Sequence, residues 1–207
     1  IYGISGVTAG TTFSMPKLAT VTTVDKDLLS AQVLLGKQIF YNAADPRMSR
    51  DGYLSCATCH LDGGHDGRVW DFTDRGEGLR NTITLEGRAG VGHGNLHWTA
   101  NFDEIQDFEN DIRFGFSGTG FLDPELFATP QIQNPLGISK AGLSVELDAL
   151  AAYVSSLKTF GVSPHRKPNG ALTEVGARGK ALFGARNCAS CHSGPGFTDS
   201  PSGKIHD

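Results

Sequence analysis

The sequence predicts a mostly α-helical chain built from two related units, and three observations lead there. Apolar residues recur at helical spacing in several stretches. The segments Gly36-Lys37-Gln38-Ile39-Phe40 and Gly179-Lys180-Ala181-Leu182-Phe183 repeat one pattern at long range. Each is followed by a Cys-x-x-Cys-His run. A period this long points to two domains, each of the form helix, motif, loop.

Residues 1–24 read as an extended arm, dense in Thr, Ser and Gly, with Pro16 inside and no helical period. Asp25 or Asp27 is the expected cap of the first helix. Leu29, Val33, Gly36 and Phe40 then fall on one helical face, and Asn42 to Pro46 end it. Residues 61–80, with Gly63, Gly64, Gly67, Gly76 and Gly78 among four aspartates, read as a long irregular loop. A loop of that length is uncommon unless it is functional. Residues 87–94 are a further loop. Phe102, Ile105, Phe108 and Ile112 suggest a helix over 101–113, and 114–135 reads as loop. Leu147, Leu150, Val154 and Leu157 mark the clearest helix, 144–160, with Ser144 as cap and Glu146 in its electropositive first turn. The Pro- and Gly-bearing stretch 161–170 is a linker, and 172–183 is a second amphipathic helix. The expected organisation is therefore an arm (1–24), a first domain (25–160), a linker (161–170) and the start of a second domain (171–207). Only fifteen residues follow His192, too few to cover a second site, so the second domain is expected to be incomplete.

The four cysteines narrow the chemistry. They fall as Cys56-Ala57-Thr58-Cys59-His60 and Cys188-Ala189-Ser190-Cys191-His192. A C-x-x-C-H run is the attachment signature of c-type haem, with two thioethers on the porphyrin and the histidine as iron ligand. Two such runs that use every cysteine predict two covalent haems. One zinc held by four thiolates leaves the two histidines unexplained. A thioredoxin-type redox pair needs a βαβ context that is absent. Covalent haem implies an extracytoplasmic, for example periplasmic, compartment. The net charge of -4 argues against a nucleic-acid partner that works by phosphate neutralisation. No window is apolar enough to span a membrane, and no signal-peptide pattern opens the sequence. Gly is 27 of 207 residues, nearly twice the usual share, which fits much loop or backbone packed against a flat group.

With both motifs placed, the chain resembles the bacterial di-haem cytochrome c peroxidase and MauG-like family. The similar stretches run in order: Leu35 to Phe40, Leu54 to His60, Phe72-Thr73-Asp74, Arg80-Asn81-Thr82, His97-Trp98, Gly179 to Phe183, Cys188 to His192 and Phe197-Thr198-Asp199. The resemblance implies two cytochrome-c-like domains facing each other. It implies reduction of hydrogen peroxide with electrons from a small donor such as a cytochrome c or cupredoxin, or oxidation of side chains of a partner protein. A homodimer is left open. By resemblance, His60 and His192 are the proximal ligands, and Trp98 lies between the haems. Asn81 helps to bind a calcium ion between the domains, and the reactive haem is the one at His60. Two segments depart from the family. Where it has Asn-Pro-x-Glu-Met with the catalytic glutamate, this chain has Phe114 to Gly120. Its Trp-Asp-Gly-Arg is here Trp98-Thr99-Ala100-Asn101.

The residues themselves offer substitutes. Asp107, Glu109 and Asp111 precede the altered segment, with Asp111 or Glu109 expected at the margin of their helix. His65 follows His60 by five residues and can fold back as a distal ligand or acid-base group; the other reading is a solvated loop histidine. His97 is a candidate for a haem edge or propionate. Arg68 and Arg80 are candidate propionate partners, because buried carboxylates require paired donors. A di-haem electron carrier without peroxide chemistry, part of a larger protein, remains the competing reading.

Overall fold

The computed structural model describes residues 1–10 and 14–199. The last part of the expected second domain, 200–207, lies outside them. By contacts the chain divides into two compact units, 1–30 and 31–207.

In the first unit the expected extended arm folds back on itself. Tyr2 and Lys17 form an antiparallel bridge, and Gly3 N–H donates to the Pro16 carbonyl (2.9 Å). A four-residue helix, α1 (Ser5–Thr8), lies within the fold-back. Asp27 does not cap a long helix; its carboxylate accepts from Leu29 N–H (2.9 Å).

The second unit is mostly helical, as expected, and it adds one small sheet. Its frame is α2 (Ala31–Tyr41) packed on α7 (Val145–Ser156). The crossing is close because of Gly36: a Cβ there would collide with the carbonyl oxygen of Ala149. Ile39 and Phe40 on α2 meet Leu150, Tyr153 and Val154 on α7, with Met48, Ile105 and Ile112 completing the core. Phe40 and Tyr153 meet edge to face, 5.1 Å between centroids. Ser144 caps α7 by accepting from Leu147 N–H (3.3 Å), as the sequence predicts.

Between these helices the chain is built from short pieces. The first motif forms a single turn, α3 (Cys56–Cys59), opened by Ser55 N–H donating to Thr58 Oγ1 (3.0 Å). The expected loop over 61–80 holds an antiparallel hairpin instead, β1 (Val69–Phe72) on β2 (Gly78–Asn81), with Trp70 opposite Arg80. Gly76, at φ +77°, makes its reversal. The helix expected over 101–113 is a composite: a 3₁₀ turn at Ile105–Asp107, α4 (Phe108–Asn110), then a π turn at Asp111–Gly115. Two short helices, α5 (Pro124–Phe127) and α6 (Pro130–Gln133), lie where loop was expected. Phe127, Ile132 and Leu147 join Leu122 in a small second core.

The composite helix is held to the 134–148 segment by buried charge. Asp107 and Lys140 are both 0% exposed and pair at 2.6 Å. The second Asp107 oxygen accepts from Asp103 and Glu104 N–H (3.0 and 3.1 Å). Gln106 donates to Asp148 (2.9 Å). Finally α8 (Glu174–Ala185), capped by Thr173, leads into a 3₁₀ turn at Cys188–Ser190.

Candidate haem sites

His60 follows the α3 turn directly, and its Nδ1 lies 3.3 Å from the Gly64 carbonyl. The Ile83 backbone also reaches the ring, whose basicity is lowered mainly by burial. His192 repeats this geometry, with Nδ1 3.1 Å from the Phe197 carbonyl. An Nδ1–H given to a backbone carbonyl fixes the tautomer with a free Nε2 lone pair, the usual arrangement of a metal-binding histidine. Both motifs therefore have their histidine pre-oriented by the loop that follows.

The cysteine chemistry agrees. Burial pushes the Cys56 thiol up to about 12 and raises Cys59 as well. These are neutral thiols, unlike the low-pKa thiolate of a redox C-x-x-C pair. Among the described residues the two cysteine pairs are not gathered into a four-thiolate site.

Beside the first motif is an open recess of about 430 Å³, lined by His65, Gly67, Asn81, Thr82, Ile83, Thr84, Arg88 and Trp98. It brings together three residues that the sequence singled out. His65 is exposed at its rim, where Nδ1 accepts from Gly67 N–H (3.1 Å). Trp98 is 56% exposed, and its indole N–H donates to the Asn81 carbonyl (2.9 Å). That bond ties the tryptophan to the asparagine through the Asn81 backbone, not its side chain.

Arg68 and Arg80, the expected propionate partners, do not line this recess. Arg68 is exposed at the start of the hairpin, and Arg80 sits on β2 with Nε 3.7 Å from Glu77 and Nη1 donating to the Leu79 carbonyl. The guanidinium at the recess belongs to Arg88, which sequence reasoning missed. Its Nε is buried with no partner among the described residues. A solvent-excluded guanidinium nitrogen without an acceptor is costly, and a bound carboxylate would remove that cost. The Nδ1 contact of His60, the neutral Cys56 and Cys59 thiols and this orphaned donor all fit a covalently attached haem with an anionic edge.

The carboxylates separate sharply. Glu109, expected at a helix margin, is 0% exposed. Its oxygens take Arg113 Nε (2.7 Å), Phe121 N–H (2.9 Å) and Leu122 N–H (3.0 Å). They hold the 120–122 turn and are filled. Asp107 is consumed by Lys140. Asp111 is different. It lies 3.6 Å from His97 Nε2 and 3.8 Å from Arg75. Burial raises its pKa against the opposing pull of His97 and Arg75. His97 Nδ1 lies 2.7 Å from Asn101 Oδ1, and its ring packs against Phe102 and Phe108. Glu77, which accepts from Thr99, completes this pocket of charge next to Trp98 in the chain. Asp111 opens the π turn, an irregularity common at functional sites.

Comparison with known proteins agrees with the geometry. Residues 30–116 match the family model described as di-haem cytochrome c peroxidase. The chain is 30% identical over 161 residues to hydrazine synthase subunit gamma of Kuenenia stuttgartiensis, covering 72% of this chain and 40% of that protein. It is 27% identical over 198 residues to cytochrome-c peroxidase IdrP1 of Denitromonas iodatirespirans, 84% and 50% of the two chains. Against cytochrome c peroxidase Ccp of Escherichia coli K12 it is 30% identical over 178 residues, 79% and 37%. The chain thus spans about half or less of the length of these relatives. On the matched segment and these relatives, the chain belongs to the bacterial di-haem cytochrome c peroxidase and MauG-like family.

Proposed function

We propose that the chain is part of a di-haem c-type oxidoreductase that reduces hydrogen peroxide at the haem held by His60, with electrons relayed through the haem held by His192. The observation that carries this reading is the repeated motif geometry: two C-x-x-C-H runs, each with its histidine turned by a backbone carbonyl four or five residues on. Cys56 and Cys59 attach the first haem and Cys188 and Cys191 the second, in domains 25–160 and 171–207 joined by the linker 161–170. When bound, the haem irons supply the one-electron redox chemistry and the site at which peroxide is taken up.

The chain's own residues do the rest. Peroxide reduction consumes two electrons and two protons and yields two waters, so a group that moves a proton is required. His65, at the recess rim, and Asp111, with its raised pKa and its His97 contact, are assigned that role in place of the family's glutamate. Glu109 is not, because its oxygens are filled. Trp98, fixed to the Asn81 carbonyl, faces the recess as the coupling residue between the haems. A calcium ion between the domains would take the Asn81 side-chain oxygen, since hard cations bind oxygen donors. Hydrogen peroxide is the substrate, and a small cytochrome c or cupredoxin is the donor. An oxidisable protein is the alternative reductant. The location is extracytoplasmic; among the described residues no helix is long and apolar enough to cross a membrane.

One observation favours a second reading, an electron carrier. No carboxylate stands in the segment Phe114 to Gly120, and Glu109 just before it serves the fold. Haem content and spin state test the first reading. A pyridine haemochrome assay with peptide mass analysis should give two haems per chain, at Cys56/Cys59 and Cys188/Cys191. Paramagnetic resonance should show one of the two irons with an open or exchangeable face. Two irons locked in six-coordinate, peroxide-inert states would leave the carrier.

A further inference from the structure

We propose that Arg88 receives a propionate of the first haem and holds that haem's reduction potential up. The inference rests on the reading of Cys56, Cys59 and His60 as a haem site, but not on peroxide chemistry.

Arg88 is built into the recess rather than draped over it. Leu85 N–H donates to the Gly63 carbonyl (2.8 Å), which ties its loop to the turn just after His60. Ala89 N–H donates to the Leu157 carbonyl at the end of α7 (3.2 Å). Gly87, at φ +72°, lies so close under the Phe160 ring that any side chain there would collide with it. These contacts fix the residues on both sides of Arg88. Among the residues lining the recess, Arg88 is the one guanidinium and none is a carboxylate. Its Nε is shut off from solvent and has no acceptor among the described residues. Burial acts on this guanidinium with no offsetting carboxylate, and its charge is felt by His93. Arg88 is half-buried, with its Nε enclosed, and an arginine fork matches a carboxylate in bidentate geometry. A porphyrin attached at Cys56 and Cys59 would bring two such carboxylates to this side of the motif.

The consequence is electrostatic. Reduction adds one electron to the ferric haem and removes one positive charge, so a fixed cation beside the ring favours the ferrous form. Removing that cation in a site partly shielded from water should shift the one-electron equilibrium by about tenfold, about 59 mV.

The test is spectroelectrochemical titration of the full haem-loaded protein, with resonance Raman spectra of the propionate bending bands. Arg88→Gln is expected to lower the midpoint of one haem by about 59 mV and to shift its propionate band. Arg88→Lys, which keeps the charge and loses the fork, is expected to keep the midpoint and still shift the band. A midpoint and band unchanged in Arg88→Gln overturn the inference. If that variant fails to retain haem, Arg88→Lys decides: an unshifted propionate band overturns the inference as well. Peptide mass analysis of the wild type separates the two failures. Lack of haem at Cys56 and Cys59 sinks the haem reading itself, whereas haem present with an indifferent Arg88 sinks only this assignment.

Discussion

Two segments of this molecule carry nearly the same sequence and are packed in opposite ways. In α2, Gly36-Lys37-Gln38-Ile39-Phe40 is driven into the core: Gly36 touches the backbone of α7, and Ile39 and Phe40 are buried. In α8, Gly179-Lys180-Ala181-Leu182-Phe183 contributes no buried residue. Leu182 is 59% exposed and Val175 54%, and among the described residues nothing comes within 4 Å of a Cβ built on Gly179. The histidines that follow are nonetheless oriented alike. Local sequence is thus enough to shape the motif and aim its histidine, whereas burial of the leading helix depends on a partner such as α7. Gly36 has a visible reason to be glycine in this structure, and Gly179 does not.

That contrast can be broken by mutation. The largest effect is expected at Lys140, whose buried pairing with Asp107 secures the first region and has no counterpart around α8 among the described residues. Lys140→Met leaves Asp107 as an unpaired buried charge and should cost about 3–5 kcal/mol, read from chemical denaturation of the haem-loaded protein. A loss no larger than that of an ordinary surface substitution would mean that the pair is not closed off from water as described.

The paired glycines sharpen the comparison more finely. Gly36→Ala places a methyl group against the Ala149 carbonyl and should destabilise by about 1–3 kcal/mol, as overpacked cores do. Gly179→Ala meets no obstacle and should stabilise α8 by about 0.5–1 kcal/mol through helix propensity alone. Equal effects of the same sign, measured in parallel melts, would show that the two helices are packed alike.

The sequence was most informative where structure is local. The helix capped by Ser144 was readable from apolar spacing and its cap, and the helix leading to Cys188 from apolar spacing alone, without its Thr173 cap. Both motif turns were legible because the spacing of two thiols and a histidine is itself the signature of haem attachment. The hairpin Val69–Asn81 was not, because its four-residue strands are hidden among glycines and aspartates that otherwise signal loop. The roles of the acidic residues were also hidden. Glu109 and Asp111 stand two apart, yet one is filled by the amides of Phe121 and Leu122 while the other faces His97. That sorting depends on a turn twelve residues away, which periodicity does not report. Arg88 was missed for the same reason. Its stranded Nε results from a loop pinned to the end of α7, and in sequence it is one arginine in a glycine-rich stretch.

The central claim is that the region around His60 is a reactive site and not only a relay. Stopped-flow mixing of the full protein with hydrogen peroxide, after reduction where reduction is needed to open the iron, tests it most directly. The account predicts a rapid spectral change at one haem. It further predicts that His65→Ala or Asp111→Asn slows that change by about 10²- to 10⁴-fold, with both haems retained. A slow bulk oxidation of both haems in the wild type, unaltered by either substitution, would contradict it and leave an electron carrier.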